Sequence, residues 1–345
     1  LNKKNLFIFS LIFFSCASVK APQGGLIDST PPKLDSTNPK ILTNLNQGQK
    51  ITLSFNEYIK EESLKNSIEL FPVEDEKITY EYFGKDIIIT LPSNLEQDKT
   101  YVISLNSNFS DERNVKLKEN IVIPISLSNS INEGVLQGEI FGSFKKPSVL
   151  LWRGIIEKNE MINRKPDYII SSTNIFSFSY LAYDKYTIIA SDLYNSRLPL
   201  DQNKISFHSD DFVDIQKDHI SNINFYFNDE NNESELDSLI VDQELEEFSN
   251  LVGNIKGNYI LPLIINLKNE NYNYQTELSL DGTFRIDNIM SGKYQLLAFQ
   301  DRNNNKILDT GLLNSKTESE KFYVYPDSLV LRTNWELEIK NWEIN

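Results

Sequence analysis

The segment from Asp301 to Asp309 has the side-chain spacing most suggestive of chemistry in this chain. Oxygen-bearing side chains stand at loop positions 1, 3, 5 and 9, namely Asp301, Asn303, Asn305 and Asp309. Calcium binds about six to eight such oxygens, often with a backbone carbonyl, here that of Ile307. Lys306 replaces the usual turn glycine, and Leu312 stands where an EF-hand loop has a glutamate. Asn and Asp also favour turns bonded to the backbone, so the alternatives are a structural calcium ion and a polar turn.

Cys16, the only cysteine, follows an apolar run at residues 6–14 that Lys3 and Lys4 precede. The run is about half as long as a bilayer-spanning helix requires, which favours the core of a signal peptide. We expect residues 1–15 to be a lipoprotein signal peptide, Cys16 to be acylated after cleavage, and residues 16–30 to be a tether. Phe13 and Phe14 depart from the usual lipoprotein signal, so an ordinary cleaved signal and an uncleaved anchor are the alternatives.

Residues for nucleophilic or zinc chemistry are scarce. The only histidines are His208 and His219, without the glycines of a nucleophile elbow around the nearby serines. Two histidines and one acylated cysteine leave no credible zinc site. Among the 49 Asp and Glu no pair stands out, and we interpret Glu57 as an exposed strand-end group. Trp335 shares strand parity with Leu337 and is predicted to be core. We therefore expect no enzymatic activity and no catalytic residues.

Composition restricts both the partners and the architecture. The chain has 345 residues and a formal net charge of -15, which disfavours nucleic-acid partners. A single cysteine excludes a disulfide within the chain, so the folded parts depend on apolar cores. The length exceeds one ordinary domain and fits two or three modules of about 100 residues.

Apolar residues alternate with polar ones along much of residues 31–129. Three of the alternating sets are Ile51, Leu53 and Phe55, then Ile87, Ile89 and Leu91, then Tyr101, Ile103 and Leu105. A period of two places apolar side chains on one face of a strand. Turns rich in Gly, Pro, Asn and Asp separate these sets, so the pattern predicts a two-sheet sandwich.

The remainder of the chain contains an internal repeat. Residues 136–142 match residues 251–257 at an offset of 115, and residues 176–190 match residues 284–298 at an offset of 108. Repeated units of about 100 residues favour tandem domains over a solenoid. We expect two related β-sandwiches at residues 132–228 and 249–345, joined by an acidic linker at residues 229–248.

These residues carry a resemblance to a known kind of protein. The chain resembles a Bacteroidetes envelope lipoprotein with an SbsA-type bacterial Ig-like domain followed by transthyretin-like or carboxypeptidase-regulatory-like β modules. The resemblance rests on Cys16 and on residues 22–32, 51–58 and 282–294. The resemblance implies an all-β fold with an N-terminal Ig-like sandwich and two related transthyretin-like β-sandwiches in tandem. It implies no established catalytic residues, and fold likeness alone does not supply a function.

Taken together, the sequence predicts a non-enzymatic, lipid-anchored envelope protein that acts as a structural spacer or as a binding module for protein or glycan. The alternative is an accessory or enzyme of glycan or peptide processing, with carboxylates gathered in a cleft between modules. A purely structural role is a third possibility. We expect attachment to the outer membrane through the N-terminal lipid, and the periplasmic face is favoured because residues 17–20 lack an acidic run.

Overall fold

The computed structural model describes residues 28–171, 174–192, 200, 204–216, 220, 222–228, 248–313 and 317–344. Cys16, His219 and residues 229–247 of the predicted linker lie outside these residues. The described chain forms strands almost throughout, and its two helices have four residues each. No helix in this part is long and apolar enough to cross a lipid bilayer. The predicted all-β fold class is confirmed.

Module 1, residues 28–128, is a sandwich of two antiparallel sheets. Its elements are β1 (Leu34–Asn38), β2 (Lys50–Phe55), α1 (Glu61–Leu64), β3 (Ile68–Phe71), β4 (Thr79–Phe83), β5 (Asp86–Thr90), β6 (Thr100–Leu105) and β7 (Ile121–Ser126). One sheet has the strand order β1-β2-β5-β4 and the other β3-β6-β7. The alternating sets in the sequence supply the apolar layer between the two sheets.

Strand β6 departs from the alternation seen in β2 and β5. In those two strands, Leu53 pairs with Ile87 and only the inner face is fully buried. All six residues of β6 are buried. Tyr101 and Ile103 belong to the core of module 1, whereas Val102 packs into a cluster with residues of the next module. Contact with a neighbouring module therefore covers the outer face of β6.

Modules 2 and 3 have the same number and order of strands. Module 2, residues 134–228, contains β8 (Gly134–Gly142), β9 (Pro147–Arg153), α2 (Lys158–Met161), β10 (Tyr168–Ser171), β11 (Ile175–Leu181), β12 (Lys185–Asp192), β13 (Lys204–Phe207), β14 (Val213–Asp214) and β15 (Phe225–Phe227). Module 3, residues 248–344, contains β16 (Ser249–Gly257), β17 (Leu263–Lys268), β18 (Asn273–Glu277), β19 (Thr283–Ile289), β20 (Gly292–Gln300), β21 (Phe322–Val324), β22 (Leu329–Leu331) and β23 (Glu336–Ile344).

Each of these modules packs a larger sheet against a three-stranded one. The larger sheets have the orders β10-β9-β12-β13 and β18-β17-β20-β21, with β14 and β22 also paired to β12 and β20. The smaller sheets are β11-β8-β15 and β19-β16-β23. In both, the last strand runs parallel to the first, β15 to β8 and β23 to β16. The internal repeat of the sequence thus corresponds to one topology used twice.

The repeated glycine of the sequence marks a close approach in both modules. Gly138 on β8 pairs with Phe176, and Gly253 on β16 pairs with Phe284. A Cβ at Gly138 would lie 2.8 Å from the Phe176 ring, and one at Gly253 would lie 2.6 Å from the Phe284 ring. Each phenylalanine therefore lies where a side chain on the glycine would be, a pairing that suits glycine in a strand.

A tyrosine at equivalent positions of modules 2 and 3 donates a hydrogen bond to the backbone four residues upstream. The Tyr186 hydroxyl donates to the Ala182 carbonyl at 3.0 Å, and the Tyr294 hydroxyl donates to the Met290 carbonyl at 2.8 Å. Burial raises the pKa of both phenols to about 12, so both stay protonated at neutral pH. A tyrosine bonded to the chain a few residues upstream is a feature of Ig-like sandwiches, where it fixes a corner.

The prediction that Trp335 is core was wrong. Trp335 is 65% exposed and precedes β23, whereas Trp342 is buried. The cause is its position: the Trp335 N–H donates to the Arg332 carbonyl at 3.2 Å in a turn, and β23 begins only at Glu336, so strand parity does not apply to Trp335. Further along β23, Gly253 pairs with Ile339 but Ile255 pairs with Trp342, and this extra residue reverses the alternation beyond Ile339 and buries Trp342.

Apolar contacts join module 1 to module 2. Phe71 of β3 and Val102 of β6 belong to one buried cluster with Tyr168 of β10, and the Phe71 and Tyr168 rings stack with centroids 6.1 Å apart. The Val73 N–H donates to the Asp167 carbonyl at 2.8 Å. We refer to this contact as the first joint.

The second joint connects module 2 to module 3. The Phe322 ring packs edge-on against Phe141 and Tyr226, at centroid distances of 6.1 and 5.5 Å. Leu308 lies in the same buried cluster as Tyr226. The Phe207 N–H donates to the Thr310 carbonyl at 2.8 Å. Apolar packing and backbone hydrogen bonding therefore fix the two modules against each other.

Replacing Gly138 with alanine is expected to destabilise module 2 by about 2–3 kcal/mol. The new Cβ would lie 1.7 Å from the Ile223 carbonyl oxygen, a backbone atom that cannot rotate away. Gly292→Ala is the matched control, because its Cβ would come no closer than 3.3 Å to another atom. Chemical denaturation of the full chain measures both changes. A Gly138→Ala protein as stable as the control would contradict this packing role.

Candidate binding groove and calcium loop

An open groove lies between modules 2 and 3, beside the second joint. One wall is β8, with Gln137, Glu139 and Phe141 among its lining residues, and the other is the turn that joins β17 to β18. The groove has a volume of about 1720 Å³. Phe141 both lines the groove and packs against Phe322, so the groove depends on the second joint.

Asparagine is the most frequent residue type in the lining of this groove, which also contains seven charged side chains. The lining includes Asn174, Asn222, Asn224, Asn269, Asn271 and Asn273. Asn269 builds the turn, because its side-chain oxygen accepts the N–H groups of Asn271 at 2.9 Å and Tyr272 at 2.8 Å. This Asx turn presents Asn271 and Tyr272 on the rim. An amide both donates and accepts hydrogen bonds, which suits a ligand with many hydroxyl groups.

A run of tyrosines leads from the core of module 3 to the rim of the groove. Tyr272, 40% exposed, stacks on Tyr274 with ring centroids 6.2 Å apart, and Tyr274 packs on the buried Tyr294. The Tyr274 hydroxyl accepts the Met290 N–H at 3.0 Å. Tyr272 is thus an exposed aromatic surface with rigid support beneath it.

The carboxylates on the β8 side of the groove accept hydrogen bonds from neighbouring segments of the same wall. Both oxygens of Asp192 accept the Lys145 N–H, at 3.1 and 3.0 Å, and one also accepts the Lys146 N–H at 2.7 Å. The Asn174 amide donates to Glu139 at 3.2 Å. An acid and base pair for hydrolysis would need carboxylates placed to reach substrate. Asp192 and Glu139 instead bond neighbouring segments of the wall.

The predicted calcium segment forms a tight loop between β20 and β21. Asp301, only 2% exposed, accepts the N–H groups of Asn305 at 3.0 Å and Lys306 at 2.9 Å. The Asn305 side-chain oxygen accepts the N–H of Ile307, whose side chain is exposed. These are the bonds of the polar turn that the sequence offered as the alternative to calcium.

Asp309 closes this loop on the far side. Its Oδ2 accepts the side-chain amides of Asn303 at 2.7 Å and Asn305 at 3.2 Å. The backbone of Lys306 has a φ of 59°, the left-handed conformation that a calcium loop usually assigns to glycine at this position. The side chains at loop positions 3, 5 and 9 are therefore brought together, and the missing glycine does not prevent the turn.

Glu320 supports the loop and was missed by the sequence analysis. It is 3% exposed, and its two oxygens accept the N–H groups of Arg302 at 2.7 Å and Asp309 at 3.1 Å. Burial, with the charges of Asp309 and Asp301, raises the pKa of Glu320. Ionising it at neutral pH therefore lowers the stability of the folded state. The only sequence signal is an acidic residue shortly after the loop.

Family comparisons support the first module and part of the third. Residues 28–128 match the family model of a bacterial Ig-like domain, which confirms the predicted N-terminal Ig-like sandwich. Residues 251–304 match the family model described as polysaccharide lyase family 4, domain II. A search of curated proteins found no similar sequence.

Several solved structures resemble this chain at low sequence identity. The Bacillus anthracis TIE protein is 12% identical at a TM-score of 0.18, over 91% of this chain and 57% of that chain. Native alpha-2-macroglobulin from Escherichia coli, spanning domains MG0-NIE-MG1, is 11% identical at a TM-score of 0.22. The match covers 85% of this chain and 96% of that chain. Titin domains I67–I69 are 8% identical at a TM-score of 0.18, and the match covers 90% of this chain and 99% of that chain. The chain thus spans 57% of the length of the TIE protein chain.

Proposed function

We propose that this protein is a lipid-anchored envelope protein that binds a glycan in the groove between modules 2 and 3. Module 1 acts as a spacer between the membrane tether and this groove. The protein is not an enzyme in this proposal. The observation that carries it is the lining of the groove, which combines six asparagines with one supported, exposed tyrosine.

Glycans fit this lining better than a peptide or an anionic polymer does. Sugar hydroxyls donate and accept hydrogen bonds, as asparagine amides do, and the apolar face of a sugar ring packs on an aromatic ring. The formal net charge of -15 disfavours a strongly anionic ligand, so a neutral glycan is the preferred class. The match of residues 251–304 to a domain of polysaccharide lyases supports the same ligand class.

Tyr272→Ala is expected to weaken binding of a neutral polysaccharide about tenfold, which corresponds to about 1.4 kcal/mol. Affinity electrophoresis against a panel of soluble neutral polysaccharides measures this loss. Tyr183→Ala is the control, because Tyr183 is 47% exposed and is not among the residues lining the groove. Equal affinity of the two variants would contradict the groove as the binding site. Polysaccharide cleavage by the wild type would favour the enzymatic alternative.

The lipid anchor at Cys16 is tested by fractionation. Cys16→Ala is expected to move the protein from the membrane fraction to the soluble fraction, because the thiol that carries the acyl chains is gone. Ser15→Ala, the preceding position, is expected to leave the protein in the membrane fraction. An uncleaved N-terminus in an unchanged membrane fraction of Cys16→Ala would rule out the lipoprotein assignment.

We further propose that the loop from Asp301 to Asp309 holds a structural calcium ion. The Asp309 carboxylate and the single side-chain oxygen of Asn303 are ligands of the type that calcium prefers, and Lys306 already has the required backbone conformation. Leu308, within this loop, packs into the second joint. An ion here would stiffen the joint and so preserve the groove.

Calcium at about ten times its Kd is expected to stabilise the wild type by about 1.4 kcal/mol, and Asp309→Asn is expected to remove that gain. Tryptophan fluorescence during thermal unfolding suits this test, because all three tryptophans lie in modules 2 and 3. Asp327→Asn, at an exposed turn of module 3, is the control. A wild type indifferent to calcium would leave the loop as a polar turn only.

A further inference from the structure

Three carboxylates from separate segments meet in module 1, where the described chain begins. Asp28 precedes β1, Glu57 follows β2, and Asp111 lies between β6 and β7. One oxygen of each lies within 4.8 Å of one oxygen of the other two. We refer to these residues as the acidic triad. The sequence analysis interpreted Glu57 as an exposed strand-end group, but it is half-buried beside two further acids.

Asp111 is the innermost member of the acidic triad, with 1% exposure. Its Oδ1 accepts the N–H groups of Arg113 at 2.9 Å and Val115 at 2.7 Å. Its Oδ2 is buried and has no hydrogen-bond partner. An unpaired buried carboxylate oxygen is costly, and ionised Asp28 and Glu57 can only accept hydrogen bonds. The missing partner must therefore be a positively charged or hydrogen-donating group.

The basic and amide side chains around the acidic triad do not supply that group. Arg113 Nη1 lies 3.3 Å from Asp28 Oδ2, but the Arg113 side chain is 69% exposed, so this pair is screened by solvent. The Asn56 amide donates to Glu57 at 3.3 Å. Lys60 donates to the side-chain oxygen of Asn114. None of these bonds reaches Asp111 Oδ2.

We propose that Asp28, Glu57 and Asp111 form a binding site for a divalent cation, with calcium as the ion that fits best. The donors are all carboxylate oxygens, which suit a hard cation and not zinc. Magnesium keeps most of its water and is usually held by one or two carboxylates, whereas calcium accepts several carboxylates in flexible geometry. Asp111 Oδ2 is the inner ligand, and Asp28 and Glu57 complete the protein side of the site.

The ion would fasten the beginning of module 1 to its first sheet. The Lys33 N–H donates to the Asn56 side chain at 2.7 Å, and the Asn56 N–H donates to the Lys33 carbonyl at 3.1 Å. These bonds already hold the segment before β1 against the loop that carries Glu57. Because Asp28 belongs to that segment and Asp111 to a distant loop, one cation ties three parts of the chain together.

Hydrogen exchange of the full chain with and without calcium tests this site locally. We expect peptides containing Asp28, Glu57 and Asp111 to exchange about tenfold more slowly once calcium exceeds its Kd about tenfold. Magnesium at the same concentration is expected to have a smaller effect. Unchanged exchange in these three peptides at millimolar calcium, the range of extracellular modules (about 10⁻⁴–10⁻³ M), would overturn the proposal.

Asp111→Asn is the decisive variant, because it keeps an oxygen for the N–H groups of Arg113 and Val115. Its amide also donates toward the other two carboxylates, so the fold is preserved and only the calcium response is lost. Glu112→Gln, at the exposed neighbouring position, is expected to retain the full response. Asp309→Asn must retain it too. A response that survives Asp111→Asn, or that disappears in Asp309→Asn, would assign the effect elsewhere and overturn the site.

Discussion

The apolar joints between neighbouring modules are the contacts on which the proposed function depends. Three sandwiches on flexible connections would sample many orientations, and no groove would persist between them. Val102 and Phe71 bury the first joint, and Phe322 buries the second by packing between Phe141 and Tyr226. Buried aromatic contacts of this size each contribute about 0.5–1.5 kcal/mol beyond their area. The joints thus hold the three sandwiches against one another and keep the walls of the groove in place.

The loop from Asp301 to Asp309 contains both the proposed calcium ligands and a residue of the second joint. Its polar side holds Asp301 and Asp309, while Leu308 on the same loop enters the second joint. Asn228 donates to the Leu308 carbonyl at 3.0 Å, so the loop is bonded to module 2 as well as packed on it. The loop is therefore a direct part of the second joint.

Structural features that depend on residues close together in sequence could be predicted. Alternation at Leu53 and Ile87 placed the core of module 1, and the repeat that includes Gly138 and Gly253 predicted two related sandwiches. Trp335 shows where this logic ends, because it lies in the turn before β23, where the alternation of a strand does not apply. The bulge between Ile339 and Trp342 likewise leaves little trace in a pattern of apolar residues.

Features that require distant segments to meet could not be predicted. Asp28 and Asp111 stand far apart in sequence, and nothing in their local context indicates that they share a site. The groove has the same origin, because its two walls belong to modules whose relative position is set by Phe322 and Leu308. A polar turn such as the one at Asn269 can be predicted from the sequence, but the surface of module 2 that it faces cannot.

The central claim is that the second joint holds modules 2 and 3 in one arrangement. Spin labels at Lys145→Cys and Asn271→Cys, on opposite walls of the groove, would test it directly in a chain whose only native cysteine, Cys16, is replaced by serine. Pulsed electron paramagnetic resonance should give one narrow distance distribution, which Phe322→Ala broadens. A broad distribution in the presence of intact Phe322 would contradict the account.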